Sequence, residues 1–345
     1  MTIAVITGIT GQDGAYLARN LLQRGHRVIG TYRRTGSLNF WRIEELGVDK
    51  HPNLTLAELD LMDIGSCIRL IERYQPDHFY NFAAQSFVGV SFGQPVATAQ
   101  ITGVGVLHCL EAIRCVNRKI RFYQASSSEL YGRVTTDLQG EETPFHPRSP
   151  YAVAKLFGHW ITINYRESYD MFTSVGILFN HESPLRGREF VTRKITCGVA
   201  AIKLGKEQTL HLGNLNAERD WGYADEYVEG VRLMMEETDT PDCFVLATGV
   251  TSSVRHFVEA SFAAADMPIV WKGEGVNEVG VDAQTGKTLV AINPEFFRPA
   301  EVDRLKGDAS KVERILGWKA KTTVAELAEM MVKADLRRSE RGNPM

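Results

Sequence analysis

Three glycines separate the first apolar run of the chain from the first amphipathic segment, and this feature most restricts the possible folds. The run Ile3–Thr7 is typical of a buried strand, Gly8, Gly11 and Gly14 follow it, and residues 16–23 have the periodicity of a helix. Lacking a Cβ, the glycines permit a tight turn and let backbone amides approach a pyrophosphate at the helix N-terminus. The spacing is G-x-x-G-x-x-G, unlike the G-x-G-x-x-G of simple dehydrogenases. The pattern therefore predicts a strand–turn–helix unit that binds a nucleotide.

Short apolar runs and amphipathic segments alternate after this unit. Strands are expected at Arg27–Tyr32, 54–59, 78–82 and 121–125, and helices at Ile64–Tyr74 and 103–115. Such alternation implies parallel strands joined by helices that cover both faces of the sheet. We therefore predict an α/β fold with a doubly wound parallel Rossmann sheet.

The alternation loosens after about residue 180. Helices are expected at 193–204, 226–237, 254–265 and 323–334, with an irregular surface excursion at 273–287 and a frayed end at 337–345. We expect residues 1–180 to form the Rossmann domain, with segments near 215–250 and 290–305 returning to it. Residues 181–345 should form mainly a smaller C-terminal α/β lobe for the substrate.

The composition excludes several classes of protein. The 345 residues include 39 Lys and Arg against 42 Asp and Glu, so no excess of positive charge indicates nucleic acid or an anionic membrane as a partner. Five cysteines without a C-x-x-C spacing predict neither a disulfide framework nor a metal site, and they favour a reducing cytoplasm. No apolar run approaches the ~20 residues of a transmembrane helix, and no basic segment typical of a signal peptide precedes the first strand.

The residues after the second and third strands bear on the choice of dinucleotide. An NAD site commonly has an acid at the end of the second strand for the ribose 2′-hydroxyl, whereas an arginine suits a 2′-phosphate. This chain has Arg33 and Arg34 there, which favours NADP, although two solvated arginines on a loop are the alternative. Asp60 and Leu61, after the third strand, are candidates for an adenine contact, unless Asp60 only caps a turn.

Tyr151 and Lys155 form the sharpest chemical signal. Ser149 and Pro150 are typical of a helix N-cap and first helical position, and Tyr151 and Lys155 are four positions apart on one face of that helix. A free tyrosine has a pKa of ~10, and a nearby ammonium favours the phenolate. We therefore expect Tyr151 to accept a proton from a sugar or alcohol hydroxyl.

A polar loop follows the fifth strand, at the edge of the sheet where open α/β proteins bind ligands. It contains Ser126, Ser127, Ser128 and Glu129. One serine could donate to the reacting hydroxyl, and the other two are expected to cap their own loop. Glu129 has two open interpretations: a surface acid at the start of a helix, or a base that removes a proton from carbon before an elimination. A plain reductase needs no such carboxylate.

Longer stretches of sequence resemble one family. RFYQAS (121–126), PRSPY (147–151), ILFNHESP (177–184), FVTRK (190–194) and FRPAEV (297–302), with the glycine turn and the Tyr151/Lys155 pair, resemble the GDP-mannose 4,6-dehydratases. These are extended short-chain dehydrogenases/reductases, and the resemblance extends from the N-terminus to about residue 336. Many members have Thr where this chain has Ser127, which keeps the hydroxyl.

The resemblance implies roles for particular residues. The implied catalytic set is Ser127, Glu129, Tyr151 and Lys155. The implied NADP contacts are Gly8, Ile9, Thr10, Gly11, Gln12, Asp13, Arg33, Arg34, Asp60, Leu61, Ala83, Gln85, Ser86, Tyr151, Lys155, His181 and Arg186. The implied contacts of the GDP-sugar are Ser86, Asn180, Val191, Lys194, Arg219, Arg298 and Glu301. Three members of the last set are cations that could neutralise a diphosphate.

The resemblance also implies an activity. The family is a group of lyases of deoxysugar biosynthesis that convert GDP-D-mannose to GDP-4-keto-6-deoxy-D-mannose and water through an internal NADP hydride cycle. Tyr151 would take the proton from O4, and Glu129 would remove the C5 proton and help the C6 hydroxyl leave. A cytoplasmic homo-oligomer is implied, a dimer formed by helices beside the Tyr151/Lys155 helix or a tetramer in which residues 33–40 reach a neighbouring subunit.

Three alternatives stay open. The first is a 4,6-dehydratase of a related GDP-sugar such as a GDP-manno-heptose, because that change would lie in a few pocket residues. The second is a GDP-4-keto-6-deoxymannose reductase, against which Glu129 argues. The third is a non-catalytic nucleotide-sugar-binding subunit, which would not need all four residues of the catalytic set.

Overall fold

The computed structural model describes residues 1–296 and 304–342. Its strands are β1 (Ile3–Thr7), β2 (Arg27–Tyr32), β3 (Leu54–Glu58), β4 (His78–Asn81), β5 (Arg121–Ser127), β6 (Thr173–Leu178), β7 (Asn180–Glu182), β8 (Leu210–Leu212), β9 (Glu218–Tyr223), β10 (Cys243–Leu246), β11 (Thr251–Ser253), β12 (Ile269–Lys272), β13 (Val279–Asp282), β14 (Thr288–Ile292) and β15 (Arg304–Leu305). Its α-helices are α1 (Gln12–Gln23), α2 (Trp41–Glu45), α3 (Ile64–Tyr74), α4 (Val88–Gly93), α5 (Pro95–Thr98), α6 (Gly105–Val116), α7 (Pro150–Tyr169), α8 (Val191–Lys203), α9 (Ala224–Glu236), α10 (Val254–Ala263), α11 (Ser310–Leu316) and α12 (Val324–Glu340).

The central sheet follows the predicted doubly wound plan. In the described part of the chain it has seven strands in the order β10-β6-β5-β4-β1-β2-β3, and every pairing is parallel. Helices α1 and α9 pack together on one face, while α3, α6 and α7 pack on the other. The strand order reverses between β1 and β4, and open α/β sheets bind ligands beside such a reversal. The prediction of the fold class is confirmed.

The local predictions in the first half are close to the observed bounds. The predicted spans of β1, β2 and α3 are those of the structure, while β5 runs on to Ser127. The helix predicted at 103–115 begins earlier, because α5 continues through a π-helical segment, Ala99–Val104, into α6. The longer β5 carries its last serines to the edge of the sheet.

The helical stretch Pro95–Val116 is long and apolar enough to cross a membrane by length and composition. Half of its most apolar window is buried inside the protein, and core helices of soluble proteins meet the same criterion. In the sequence, this stretch is interrupted by Gln100, His108, Glu111 and Arg114, so it contains no long continuous apolar run.

The C-terminal half builds a second core. Helices α8, α10 and α12 pack on one another, and beside them lie two smaller sheets, β12-β13-β14-β8 and β11-β9-β15 with β7 paired to β9. The irregular excursion predicted at 273–287 is wrong in part, because β13 pairs antiparallel with both β12 and β14. Strand β13 is short and lies between turns, so its alternation of apolar and polar residues is too brief to be recognised in the sequence. The main sheet also takes its edge strand, β10, from beyond residue 180.

The frayed end predicted at 337–345 is wrong up to Glu340, where α12 ends. Arg338 is buried, and its guanidinium donates to the Pro184 carbonyl at 2.8 Å and to Glu45 at 2.9 Å. Arg193 of α8 pairs with Asp335 of α12 at 2.8 Å and donates to the same Pro184 carbonyl at 2.9 Å. The last turns of α12 therefore anchor the loop that leads from β7 to α8.

Candidate active site

A cleft of about 750 Å³ lies at the carboxyl ends of β1, β2, β4 and β5. Its walls are formed by the glycine turn, the ends of these strands, the start of α7 and the segment from β6 to α8. Most of the predicted site residues line it, namely Gly8, Thr10, Gly11, Gln12, Asp13, Arg33, Asp60, Leu61, Ala83, Gln85, Ser86, Ser127, Glu129, Tyr151, Lys155, Asn180, His181 and Arg186.

Two predicted cofactor contacts do not line this cleft. The Ile9 side chain is fully buried, and a Cβ on Gly30 would lie 2.0 Å from its Cδ1, so Ile9 belongs to the core beneath the turn. The Arg34 side chain is 80% exposed and its guanidinium lies 3.5 Å from Glu58 of β3. Arg34 points toward the neighbouring strand, whereas Arg33 lines the rim of the cleft.

Three of the predicted GDP-sugar contacts, Val191, Lys194 and Arg219, are not among the residues that line this cleft. Val191 begins α8 and is partly exposed. The Lys194 ammonium stacks 3.5 Å from the ring centre of Phe296, and the buried Arg219 donates to the Glu218 carbonyl at 2.8 Å. The remaining two predicted contacts, Arg298 and Glu301, lie outside the described residues. Of the described members of this set, Ser86 and Asn180 line the cleft, whereas Val191, Lys194 and Arg219 do not.

The glycine turn has the shape of an anion cradle. Gly8 has a φ of +71°, and a Cβ there would lie 3.1 Å from the backbone of Ala83. A Cβ on Gly14 would lie 2.4 Å from the Gly8 carbonyl oxygen. Helix α1 starts after Gly11, and no described side chain caps it. The amides of its first turn therefore face the cleft in the way that helix N-termini bind phosphate groups.

Asp13 and His181 form a buried pair that joins the glycine turn to β7. The Asp13 carboxylate lies 3.1 Å from His181 Nε2, and the imidazole stacks on the Tyr227 ring. Burial opposes charge on both groups, but their mutual attraction prevails, so the pKa of Asp13 is lowered and that of His181 is raised. Gln12 reinforces the join, because its Nε2 donates to the His181 carbonyl at 2.8 Å and its Oε1 accepts from Ser183 at 2.9 Å.

Helix α7 presents Tyr151 and Lys155 to the cleft as the spacing predicted. The Ser149 hydroxyl accepts from the amide of Ala152 at 3.1 Å and caps the helix, with Pro150 at its first position. Lys155 Nζ donates to the Ala125 carbonyl at 2.6 Å and lies 5.9 Å from the Tyr151 ring centre. Both side chains are buried.

The polar loop after β5 places one serine and one carboxylate beside them. The Ser127 hydroxyl accepts from the Glu129 amide at 3.2 Å and caps the short 3-10 helix Ser128–Leu130. Ser126 contacts His159 Nδ1 at 3.2 Å on the next turns of α7, and Ser128 is buried. The expectation that the other two serines cap their own loop is wrong, because Ser127 is the serine that caps it and Ser126 contacts α7. All three serines line the cleft, and of them Ser127 affects the pKa of Tyr151, as Glu129 does.

Burial determines the acid–base state of the tyrosine–lysine pair. It raises the pKa of Tyr151 to about 12, although interaction with the Ser127 side chain opposes the shift. It also lowers the pKa of Lys155 to about 8. The expectation that the Lys155 ammonium makes Tyr151 a ready phenolate is therefore wrong for the protein alone, because desolvation of the phenolate outweighs the attraction of a cation.

Sequence reasoning missed Arg42, which lies in the wall of the cleft on α2. Its Nη1 donates to the Thr10 carbonyl of the glycine turn at 2.8 Å, and its Nε donates to the Leu185 carbonyl at 2.6 Å. Burial lowers the pKa of Arg42 to about 10. No motif surrounds this arginine in the sequence, and only the fold reveals that it joins the two sides of the cleft.

Known proteins resemble this chain over nearly its full length. The family described as GDP-mannose 4,6 dehydratase matches residues 5–331. A GDP-mannose 4,6-dehydratase of Sinorhizobium fredii is 53% identical over 97% of this chain and 96% of its own length. The Homo sapiens GDP-mannose 4,6 dehydratase is 48% identical over 97% and 91%.

Solved structures share the fold at lower identity. A dTDP-glucose 4,6-dehydratase of Streptomyces venezuelae with NAD bound has a TM-score of 0.82 at 21% identity and covers 99% of this chain and 98% of its own. RMD from Pseudomonas aeruginosa complexed with NADPH has a TM-score of 0.76 at 20% identity and covers 98% and 100%. This chain therefore shares its overall fold with these two proteins.

The burial of Tyr151 predicts that it stays protonated in the cofactor-free protein. With a pKa of about 12, only about one molecule in a thousand carries the phenolate at pH 9. An ultraviolet titration of the wild type minus that of folded Tyr151→Phe should show no phenolate below pH 10. A Tyr151-dependent signal near pH 8 would contradict this account of the site.

Proposed function

The chain belongs to the GDP-mannose 4,6-dehydratase family, and we propose that it converts GDP-D-mannose to GDP-4-keto-6-deoxy-D-mannose with a resident NADP. The observation that carries this proposal is the position of Glu129 in one cleft with Ser127, Tyr151 and Lys155. A reductase of this fold uses the tyrosine, the lysine and a hydroxyl donor. An added carboxylate suits a reaction that also breaks a C–H bond next to a carbonyl.

The residues of the cleft fit a dinucleotide. Gly8, Gly11 and Gly14 form a cradle that the Cβ of any other residue would fill. The cradle opens onto the free amides at the start of α1. The cleft is continuous from this cradle to Tyr151 and Lys155. When bound there, NADP supplies a hydride acceptor for C4 and the donor for C6 in the same turnover.

The chain's own residues would move the protons. Bound NADP⁺ would add a positive charge beside Tyr151 and so favour its phenolate. Tyr151 would then take the proton of the O4 hydroxyl while C4 is oxidised, and Ser127 would donate a hydrogen bond to that oxygen. The 4-keto group acidifies the C5 proton, which Glu129 removes. The same carboxyl group then protonates the C6 hydroxyl as it leaves as water, so Glu129 begins and ends the cycle ionised. When the hydride returns to C6, C5 takes up one proton from solvent and Tyr151 releases to solvent the proton that it took from O4.

Lys155 has two tasks in this scheme. Its charge would stabilise the phenolate of Tyr151 before the proton is transferred. Its ammonium, held against the Ala125 carbonyl, would also bind the cofactor ribose. Burial lowers the pKa of Lys155 to about 8, so the ammonium is present at neutral pH and is lost as the pH rises through that value. Activity should therefore fall on the alkaline side.

We propose that the C-terminal half holds the GDP part. Lys194 and Arg219 are cations of that half, and Ser86 and Asn180 line the cleft. Val191, Arg298 and Glu301 complete the proposed set. The protein would act in the cytoplasm as a homo-oligomer.

Two adjacent helices offer a surface for the oligomer. The side chains of Val153, Phe157 and Trp160 are 55%, 44% and 53% exposed on one face of α7. Val96 and Val104 are exposed on the helical stretch that packs beside it. Two copies of this face would bury their apolar side chains in a four-helix contact, and residues 33–40 would contact a second dimer in a tetramer.

Replacing Glu129 should stop the elimination without stopping the oxidation. Glu129→Gln is nearly isosteric but cannot accept the C5 proton, so turnover should fall by on the order of 10²–10⁴-fold. Enzyme-bound NADPH should accumulate from GDP-mannose, and solvent deuterium should no longer enter C5. Tyr151→Phe is the matched comparison, because it should form no NADPH at all. Wild-type turnover in Glu129→Gln would refute the proposal.

The preference for NADP should depend on Arg33 more than on Arg34. Arg33→Ala should weaken NADP binding by at least ~10-fold and NAD binding little, since a charge-assisted hydrogen bond contributes ~1.5 kcal/mol. Arg34→Ala removes an exposed pair with Glu58 and should change NADP affinity by less than about threefold. Calorimetric titration with both dinucleotides measures this difference. Equal losses for NADP and NAD would remove the assignment.

The apolar face of α7 should control the oligomeric state. Trp160→Glu places a charge where two copies would meet, so light scattering should give the mass of a monomer. Ile315→Glu on α11 is the control, because that side chain is also exposed but lies outside the face. An unchanged mass for Trp160→Glu, or a monomeric wild type, would show that the face is not an interface.

A further inference from the structure

A line of hydrogen bonds between buried side chains crosses the carboxyl ends of three neighbouring strands. Thr7 Oγ1 of β1 donates to Asn81 Oδ1 of β4 at 2.6 Å. Asn81 Nδ2 donates to Gln124 Oε1 of β5 at 2.8 Å. Gln124 Nε2 then donates to the Ala125 carbonyl at 2.9 Å. The three side chains are at most 1% exposed, and the line ends at one carbonyl oxygen.

The same oxygen holds Lys155. The Ala125 carbonyl accepts from Lys155 Nζ at 2.6 Å in addition to Gln124 Nε2. A carbonyl oxygen has two lone pairs, so both of its positions are used. Strand β4 ends at Asn81, which lies opposite Gln124 of β5. Beyond this end of β4, the side chains of Gln124 and Lys155 donate to the Ala125 carbonyl. Neither Asn81 nor Gln124 is among the residues that line the cleft.

Thr7, at the other end of the line, determines which group donates and which accepts in each of its hydrogen bonds. Thr7 Oγ1 accepts from the amides of Phe82 and Ala83, each at 3.1 Å, so its own proton is directed to Asn81 Oδ1. This orients the Asn81 amide with Nδ2 toward Gln124. The Gln124 amide must then turn its oxygen to Asn81 and its nitrogen to Ala125. A reversed amide would place two oxygens against each other.

We propose that Gln124 is a positioning residue for Lys155. Its amide, oriented by Asn81 and Thr7, holds the Ala125 carbonyl at the point where the ammonium binds. The role rests on the proposed function, in which Lys155 acts with Tyr151 during oxidation at C4. Gln124 itself contacts neither substrate nor cofactor.

The expected defect lies in the chemical step. Without the Gln124 amide, the Ala125 carbonyl loses one of its two donors and can turn away from its present direction, and Lys155 moves with it. A misplacement of about 1 Å near reacting groups can cost ~10²-fold in rate. Substrate binding should change little, because the cleft wall keeps its residues.

The test compares two buried glutamines. Gln124→Met keeps the length of the side chain and removes its amide. Gln139→Met is the matched control, since Gln139 is equally buried and also bonded at both ends of its amide, to Thr136 and Lys306, away from Lys155. Product formation and NADPH formation are measured with GDP-mannose, with and without deuterium at C4.

Gln124→Met should lose at least ~10-fold in kcat, with KM within about twofold of wild type. Its isotope effect at C4 should rise, because oxidation becomes more rate-limiting, while Gln139→Met keeps the wild-type values. If Gln124→Met does not fold, Asn81→Leu, which frees the Gln124 amide to reverse, should show the same split between kcat and KM.

Equal kcat values for the variant tested and for Gln139→Met would overturn the positioning role. So would a loss confined to stability or KM. A wild-type protein that forms no keto product would refute the proposed function and this role together, so the two failures are distinguishable.

Discussion

The β1–α1 turn packs so closely on itself and on the residues after β4 that it has no room for a side chain at Gly8 or Gly14. A Cβ on Gly8 would lie 3.1 Å from the backbone of Ala83, and a Cβ on Gly14 would lie 2.4 Å from the Gly8 carbonyl oxygen. This contact aims the start of α1 across the carboxyl edge of the sheet, where β5 and α7 also deliver Ser127 and Tyr151. The cleft, its anion cradle and its proton-transfer groups all depend on this close packing of the Gly8 backbone against the Ala83 backbone.

Local signals in the sequence predicted the parts of the molecule that are formed locally. The spans of β1, β2 and α3 and the Ser149 cap followed from periodicity and capping, because each depends on neighbours a few positions away. Arg34 could not be placed, since its direction depends on Glu58 of another strand. The family resemblance supplied site roles that spacing alone left open.

Contacts between distant residues were not visible in the sequence. Arg42 joins two walls of the cleft without belonging to a motif, and the place of Gln124 in RFYQAS does not reveal its contact with Asn81. The acid–base expectation for Tyr151 was wrong for a related reason, because burial of the whole site, rather than its nearest cation, sets the pKa. The same burial strengthens each remaining polar contact, so a small set of fixed groups can direct the chemistry.

The origin of strand β10 has a consequence for biosynthesis. Every residue of β6 is buried, and its outer edge pairs with β10, which is synthesised after the whole of α8, β9 and α9. Until Cys243–Leu246 emerges, a nascent chain with all the cleft residues in place exposes an apolar strand with unpaired backbone groups. Such an edge is a template for aggregation, and the distant pairing that covers it is slow to form. Protection of the growing chain therefore matters most after the cleft is complete.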